Sequence, residues 1–248
     1  MSKYFELLQN LGKDRRAFET DSLDVRMKDR APSATIPVNL PGAELHQINE
    51  LVQRLILQAG VDAPRTIVFT GTEPGNGCSW VCAHAGEVLA NQVSASVCLV
   101  DGNLRAPTLH NHFGIANERG LSDALGEEEP IRRFVHATTR HNLLLLTAGS
   151  AGNKQPSLSS ARMRLRMTEL RAQYDYVLID AAALSVSEDA VALGSLADGV
   201  VLVLKANSSR RETARKAVED LRAAEAKVLG VVLNQRTFPI PDKIYKKL

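Results

Sequence analysis

Six short aliphatic runs recur along the chain, and each is bounded by polar or glycine-containing segments. These runs are apolar at successive positions rather than at every second one, which is typical of strands in a parallel sheet covered by helices on both faces. The pattern predicts strands at residues 66–70, 97–100, 143–146, 176–179, 200–204 and 228–233.

The stretches between these runs have the spacing of amphipathic helices. In residues 208–226 the small and aliphatic side chains fall three or four apart and charged side chains occupy the other positions, while Ser208 and Ser209 are good N-cap residues. Further helices are predicted at residues 43–59 and from the end of a glycine-rich segment to about residue 91. Strands alternating with helices predict an α/β fold with a doubly wound, mostly parallel sheet.

The two ends of the chain lack this alternation. Residues 1–41 contain a charged run at residues 13–16 and three prolines, which indicates a linker. Residues 236–248 contain Pro239 and Pro241, which cannot continue a sheet. We therefore expect an N-terminal extension at 1–41, one α/β domain at 42–235 and a C-terminal tail at 236–248.

Composition narrows the class of protein. Hydrophobic residues make up 44% and charged residues 23%, which are ordinary values for a globular protein. A net charge of +2 gives no reason to expect nucleic-acid binding. No apolar run approaches the roughly 20 residues that span a bilayer, and three cysteines form no paired framework. We expect a cytoplasmic protein that does not cross a membrane.

The glycine-rich segment at residues 71–80 connects the first predicted strand to a helix. A strand, a glycine-rich turn and a helix start together form the geometry that holds phosphate on backbone N–H groups. Two acids strengthen this signal, because Asp101 and Asp180 each end a predicted strand. The carboxyl ends of parallel strands meet at one edge of a sheet, so a phosphate loop and two carboxylates able to hold Mg²⁺ should converge there.

In combination, these segments resemble the cytoplasmic kinase domain of the bacterial tyrosine autokinases of capsule and exopolysaccharide systems, which are relatives of the Min/Par ATPases. The resemblance covers about residues 43–248, and its specific parts are residues 74–77, 101–110, 113–114, 120–123, 156–160 and 231–234. It implies a P-loop NTPase-like fold that takes ATP or ADP with Mg²⁺.

The resemblance also assigns roles to individual residues. Asp101 is the candidate catalytic residue if activity remains, and Asn234 matches the asparagine that contacts adenine. The metal ligands implied are Ser79, Asp101 and Asp180. The implied nucleotide-binding residues are Pro74, Gly75, Asn76, Gly77, Cys78, Ser79, Trp80 and Asn234.

Several positions depart from the family pattern. Cys78 stands where the family has the loop lysine, Trp80 where it has a threonine, and Asn103 where it has a second acid. A lysine charge near a phosphate contributes about 4 kcal/mol at roughly 4 Å in an effective dielectric of about 20, and a neutral thiol cannot replace it. The sequence therefore predicts weak or absent ATP hydrolysis and phosphotransfer.

The acceptor and assembly features of the family are also reduced. The tail holds a single tyrosine, Tyr245, where the family has a tyrosine cluster, and the helix before the first strand lacks the paired arginines of the family's ring-forming motif. A monomer or dimer is therefore expected for the isolated protein.

The resulting hypothesis is a regulatory or binding component of exopolysaccharide biosynthesis or export. Its expected partners are a membrane polysaccharide co-polymerase or chain-length regulator, with an active kinase paralogue as a further candidate, so it would act peripherally at the inner membrane. One alternative is an active tyrosine autokinase that uses Arg105 or Lys205 in place of the lysine. Another is a Min/Par-like positioning ATPase.

Other residues have two interpretations each. Cys78 is either a reactive thiol at a helix start or a small residue that fills space, and Trp80 lies either in the nucleotide pocket or against the adjacent helix. His110 and His112 have the spacing of a metal pair, although a structural position is favoured for His110. The arginines of one predicted helix are expected on a solvated surface; they are Arg162, Arg164, Arg166 and Arg171.

Overall fold

One seven-stranded sheet forms the centre of the protein. The computed structural model describes residues 40–58, 60, 63–150 and 156–235. All six predicted strands are present within one or two residues of their expected bounds. The strands are β1 Thr66–Gly71, β2 Val97–Asp101, β3 Val135–Ala137, β4 Leu143–Leu146, β5 Tyr176–Asp180, β6 Gly199–Lys205 and β7 Val228–Asn234.

The strand order is β3-β4-β2-β5-β1-β6-β7, and every pairing is parallel except that of β3 with β4. The sequence did not predict β3. This strand has three residues that are half-buried or exposed, so it carries no apolar run by which it could be found. The doubly wound, mostly parallel sheet is confirmed.

Seven α-helices lie in the described residues and cover the sheet on both faces. A π-helical turn, Gln53–Leu57, extends the first helix, and a 3₁₀ turn, Ile131–Phe134, precedes β3. The helices are α1 Gly42–Val52, α2 Cys78–Gln92, α3 Leu109–Phe113, α4 Leu121–Gly126, α5 Ala161–Gln173, α6 Asp189–Leu196 and α7 Arg211–Ala223.

Successive side chains of β1 enter different cores, as the alternation of a strand requires. Ile67 and Phe69 pack in one core with residues of α1 and α2, whereas Val68 packs in the other with residues of α4, α5 and α6. Burial on both faces is the physical reason that the predicted strands are apolar at successive positions. No helix in the described residues has the length and apolar content needed to cross a membrane.

Helix α7 begins three residues later than predicted. Ser209 was expected to cap it, but its hydroxyl accepts a hydrogen bond from the Lys205 amide and another from the Asn76 side chain. Arg210 occupies the N-cap position instead.

The expected solvated surface of α5 is wrong for Arg166, which is only 1% exposed. Its guanidinium donates hydrogen bonds to the carbonyl oxygens of Ala124 and Glu127 and pairs with Glu169. Residues 1–39 and 236–248, which include most of the predicted extension and the tail with Tyr245, lie outside the described residues.

Candidate nucleotide-binding site

The loop between β1 and α2 has the backbone conformation of a phosphate-binding turn. Gly75 and Gly77 have left-handed φ angles of 83° and 81°, which glycine adopts without strain. A Cβ on Gly77 would lie 2.2 Å from the side-chain nitrogen of Asn234. The helix begins directly afterwards at Cys78, so the free N–H groups of its first turn lie at the end of the loop.

Asn76 ties this loop to the rest of the sheet edge. Its side-chain oxygen accepts a hydrogen bond from the Glu73 amide at 2.8 Å, and its side-chain nitrogen donates to Ser209 at 3.0 Å. The Asn76 carbonyl accepts a hydrogen bond from the Asn234 side chain at 3.0 Å, and the Asn234 oxygen accepts one from the Gln235 amide. The structure thus places Asn234 against the loop, where its amide holds the loop in shape.

Asp101 and Asp180 lie side by side at the same edge, paired in register on β2 and β5. Both are completely buried. Asp101 accepts hydrogen bonds from the backbone N–H groups of Asn103, Thr108 and Leu109 at 3.3, 3.0 and 3.1 Å. Burial and then the neighbouring charge of Asp180 raise the pKa of Asp101 to about 7, and these three hydrogen bonds oppose the rise.

Asp180 has a different environment. Neither of its carboxylate oxygens has a hydrogen bond of normal geometry. Burial raises the pKa of Asp180 to about 6, although the nearby Ser79 hydroxyl and Cys78 thiol oppose the rise. A buried carboxylate without a partner is unfavourable unless a cation compensates it. The set of Ser79, Asp101 and Asp180 supplies oxygen atoms, which Mg²⁺ prefers, so these residues fit that ion.

Cys78 brings no charge to this site. Burial, followed by the charge of Asp180, raises the pKa of the Cys78 thiol well above its ordinary value, so the thiol is protonated at neutral pH. This environment favours the inert of the two interpretations of Cys78, because reactive thiols have lowered pKa values. None of the ion pairs among the described residues involves Asp101 or Asp180.

The side chain of Asn103 forms hydrogen bonds within its own turn. Its side-chain nitrogen donates to the Ala106 carbonyl at 3.0 Å, and its side-chain oxygen accepts from the Ala106 amide at 3.3 Å. These two bonds close the turn after β2. Arg105 and Lys205, the candidate replacements for the lysine, both have exposed side chains.

Trp80 packs along its own helix. Its ring lies 4.3 Å from the ring of His84, centre to centre, and His84 Nδ1 forms a 2.8 Å hydrogen bond with the Trp80 carbonyl. Of the two positions considered for Trp80, the structure shows packing against the helix. Asn76 was among the implied nucleotide-binding residues, but its hydrogen bonds to Glu73 and Ser209 could not be predicted, since the family pattern accepts any residue at this position.

Comparison with known proteins supports the resemblance noted in the sequence. The chain matches no protein-family model. It is 32% identical over 211 residues to the tyrosine-protein kinase YwqD of Bacillus subtilis, a match that covers 84% of this chain and 87% of YwqD. It is 29% identical over 175 residues to the succinoglycan biosynthesis transport protein ExoP of Rhizobium meliloti, covering 69% of this chain and 22% of ExoP. The chain thus spans only about a fifth of this longer relative.

Solved structures agree with these matches. The chimerical protein CapA2B2 superimposes with a TM-score of 0.72 at 27% identity, covering 78% of this chain and 85% of that one. The septum site-determining protein MinD of Pyrococcus horikoshii, complexed with Mg-ADP, superimposes with a TM-score of 0.60 at 22% identity over 74% of this chain and 76% of that one, and this likeness shows the fold alone. The long match to YwqD, together with the P-loop-like turn and the two strand-end acids, shows that the chain belongs to the family of bacterial tyrosine-protein kinases.

Proposed function

We propose that this chain is a regulatory or binding component of exopolysaccharide biosynthesis or export, with weak or absent ATP hydrolysis and phosphotransfer. The polysaccharide role is supported by ExoP, whose name assigns it to succinoglycan biosynthesis and transport. The weak phosphotransfer is supported by the charges around the candidate site.

The observation that carries the proposal is the neutral Cys78 thiol beside Asp180. Phosphoryl transfer spreads negative charge over the transferred group, and a positive charge at the loop stabilises it. Here the corresponding side chain is uncharged, and two buried carboxylates lie behind it. Their negative charge repels phosphate unless a metal ion or protons neutralise it.

The remaining parts of the site still favour binding of a phosphate chain. Backbone N–H groups from Gly75 to Ser79 do not depend on the side chains that have changed. Mg²⁺, when bound, would neutralise part of the phosphate charge, and Ser79, Asp101 and Asp180 are the residues that would hold it. Loss of about 3–4 kcal/mol of lysine attraction would move a micromolar site to near millimolar affinity.

The decisive variant is Cys78→Lys. We expect calorimetry to show little or no Mg·ATP binding to the wild type and clear binding to Cys78→Lys. The new ammonium would supply the positive charge that the loop lacks and would offset the negative charge of Asp180. Cys78→Met is the matched control, since it has similar bulk without the charge, and it should bind no better than the wild type. Because Trp80 packs on His84, adding Trp80→Thr should increase affinity only modestly.

Three results would contradict the proposal. Low-micromolar Mg·ATP binding by the wild type would show that the site does not need a lysine. A folded Cys78→Lys protein that binds no ATP would show that other parts of the site are lost as well. Autophosphorylation on tyrosine that disappears in Tyr245→Phe would support the active-kinase alternative instead.

A membrane polysaccharide co-polymerase or chain-length regulator is the partner we propose, with an active kinase paralogue as a second partner. The support is that ExoP contains a segment similar to this chain within a much longer transport protein. The chain should co-purify with the cytoplasmic tail of a co-polymerase that is encoded beside its gene. Co-purification with a chromosome-segregation protein instead would favour a positioning ATPase.

A further inference from the structure

A cluster of three potential metal ligands lies outside the candidate nucleotide site. His84 and Glu87 are one turn apart on α2, and His112 lies on α3. One ligand atom from each of these residues lies within 4.8 Å of the other two. Glu87 Oε2 lies 4.0 Å from His84 Nε2 and 3.6 Å from His112 Nε2.

The ring of His84 is oriented as in many metal-binding histidines. Its Nδ1 is hydrogen-bonded to the Trp80 carbonyl, so its Nε2 faces Glu87. Such a bond from the second ring nitrogen fixes the tautomer and the direction of a ligand histidine. Because Nδ1 donates its hydrogen to that carbonyl, the lone pair of Nε2 is available for a metal ion.

Glu87 is the member of the cluster that needs a partner. Its Oε2 atom is buried and has no hydrogen bond. Both imidazole nitrogens are farther from it than a hydrogen bond of normal length. A buried carboxylate oxygen left in this way is unfavourable, and a cation between the three side chains would satisfy it.

We propose that His84, Glu87 and His112 form a binding site for Zn²⁺. Two imidazoles and one carboxylate are ligands that Zn²⁺ accepts, with a water molecule in the fourth position. Zinc–ligand bonds near 2.1 Å place tetrahedral ligand atoms about 3.4 Å apart, so the ligand atoms, which now lie within 4.8 Å of one another, must approach by up to about 1.4 Å. His112 is the exposed member of the cluster and can make this movement.

Zn²⁺ at this position would join two segments that shape the nucleotide site. Helix α2 begins at the end of the glycine-rich loop, and Leu109, the first residue of α3, donates its N–H to Asp101. The metal would hold α2 against α3 and thereby stabilise the position of both segments. The site does not depend on whether nucleotide binds, so this inference stands separately from the proposed function.

The sequence could not show this cluster. His110 and His112 have the spacing of a metal pair, but His110 is not part of the cluster. The histidine that joins His112 in the cluster is His84, which lies on another helix. The only local signal is His84 and Glu87 at a spacing of three on one helix, which is common without a metal.

The test uses the full chain, freed of any affinity tag, stripped with EDTA and free of nucleotide. Calorimetric titration with Zn²⁺ should show one ion bound per chain and a rise in the melting temperature. Co²⁺ should quench Trp80, the only tryptophan, whose ring stacks on His84. His112→Gln and Glu87→Gln should each weaken Zn²⁺ binding by about tenfold or more, whereas His141→Gln, an exposed histidine outside the cluster, should leave it unchanged.

Two results would overturn the proposal. One is a wild type that binds no Zn²⁺ when the metal is present at about 0.1 mM, because a structural zinc site would be filled at that concentration. The other is a folded His112→Gln protein that binds Zn²⁺ as tightly as the wild type, which would place the ion elsewhere. Because His112 is exposed, this variant should fold even if Glu87→Gln does not.

Discussion

Asp101 and Asp180 are neighbours on adjacent strands, yet their surroundings differ. Asp101 accepts three backbone hydrogen bonds, while Asp180 has none of normal geometry. Burial is the first cause of the raised pKa of both groups. The pair therefore destabilises the ligand-free protein when it is ionised, and a bound cation would relieve that cost.

Asp180→Asn should stabilise the metal-free protein at pH 8. The folded-state pKa of about 6 exceeds the unfolded value of about 3.9, so the wild type loses stability as the pH rises from about 4 through 6. The variant avoids this loss, worth about 3 kcal/mol, which corresponds to roughly 6–12 °C in melting temperature for a domain of this size. Thermal unfolding in EDTA should show this gain at pH 8 and little of it near pH 4.

Asp175→Asn is a contrasting control. Hydrogen bonds from Ser96 lower the pKa of Asp175, so its ionised form contributes stability above its unfolded pKa, and that contribution is lost as the pH falls. This variant should therefore lower the melting temperature at pH 8. If Asp180→Asn were destabilising at pH 8 as well, Asp180 would not have the unfavourable ionised state described here.

Helix α5 contacts α4 through apolar side chains of a shared core and through one buried charged side chain. Arg166 is buried and donates to the carbonyl oxygens of Ala124 and Glu127, near the end of α4. It also makes two hydrogen bonds to Glu169 on its own helix. A guanidinium can serve three acceptors in different directions at once, and an ammonium cannot match that geometry.

Arg166→Lys should therefore destabilise the protein by about 2–4 kcal/mol, because it leaves buried acceptors without donors. Urea unfolding would measure this loss as a lower midpoint with an unchanged slope. Arg164→Lys is the matched control on the same helix, and its exposed side chain predicts a change within about 0.5 kcal/mol. Equal effects of the two variants would show that the Arg166 contacts contribute nothing specific.

At the scale of the whole molecule, the features that would drive assembly into a ring are reduced. Helix α1 carries one arginine at its extension, Arg54, and this side chain pairs with Glu50 of the same helix. The family's ring-forming motif uses arginines that this helix lacks. The helix therefore offers no free pair of cations to a neighbouring subunit.

Light scattering on the isolated protein should accordingly give the mass of a monomer, 27.0 kDa, or of a dimer. The measurement should be made at low and at moderate salt concentration, because assembly through ion pairs weakens as the salt concentration rises. An eight-membered ring would show that other contacts replace the missing arginines.

Local sequence patterns predicted six of the seven strands and the edge of the sheet at which the candidate site lies. Buried parallel strands need apolar residues at successive positions, and this is a local pattern. The carboxyl ends of parallel strands meet at one edge, so Asp101, Asp180 and the glycine-rich loop could be brought together by reasoning alone. Both predictions depend on features that a few neighbouring residues carry.

Contacts between side chains of different elements depend on how the whole chain packs. Arg166 has the same local pattern as the exposed Arg164, yet it is buried because acceptors of α4 surround it. His84 and Glu87 meet His112 only because α2 packs against α3. Such contacts join residues far apart in the chain, and their free energies depend on burial and direction, which no local pattern records.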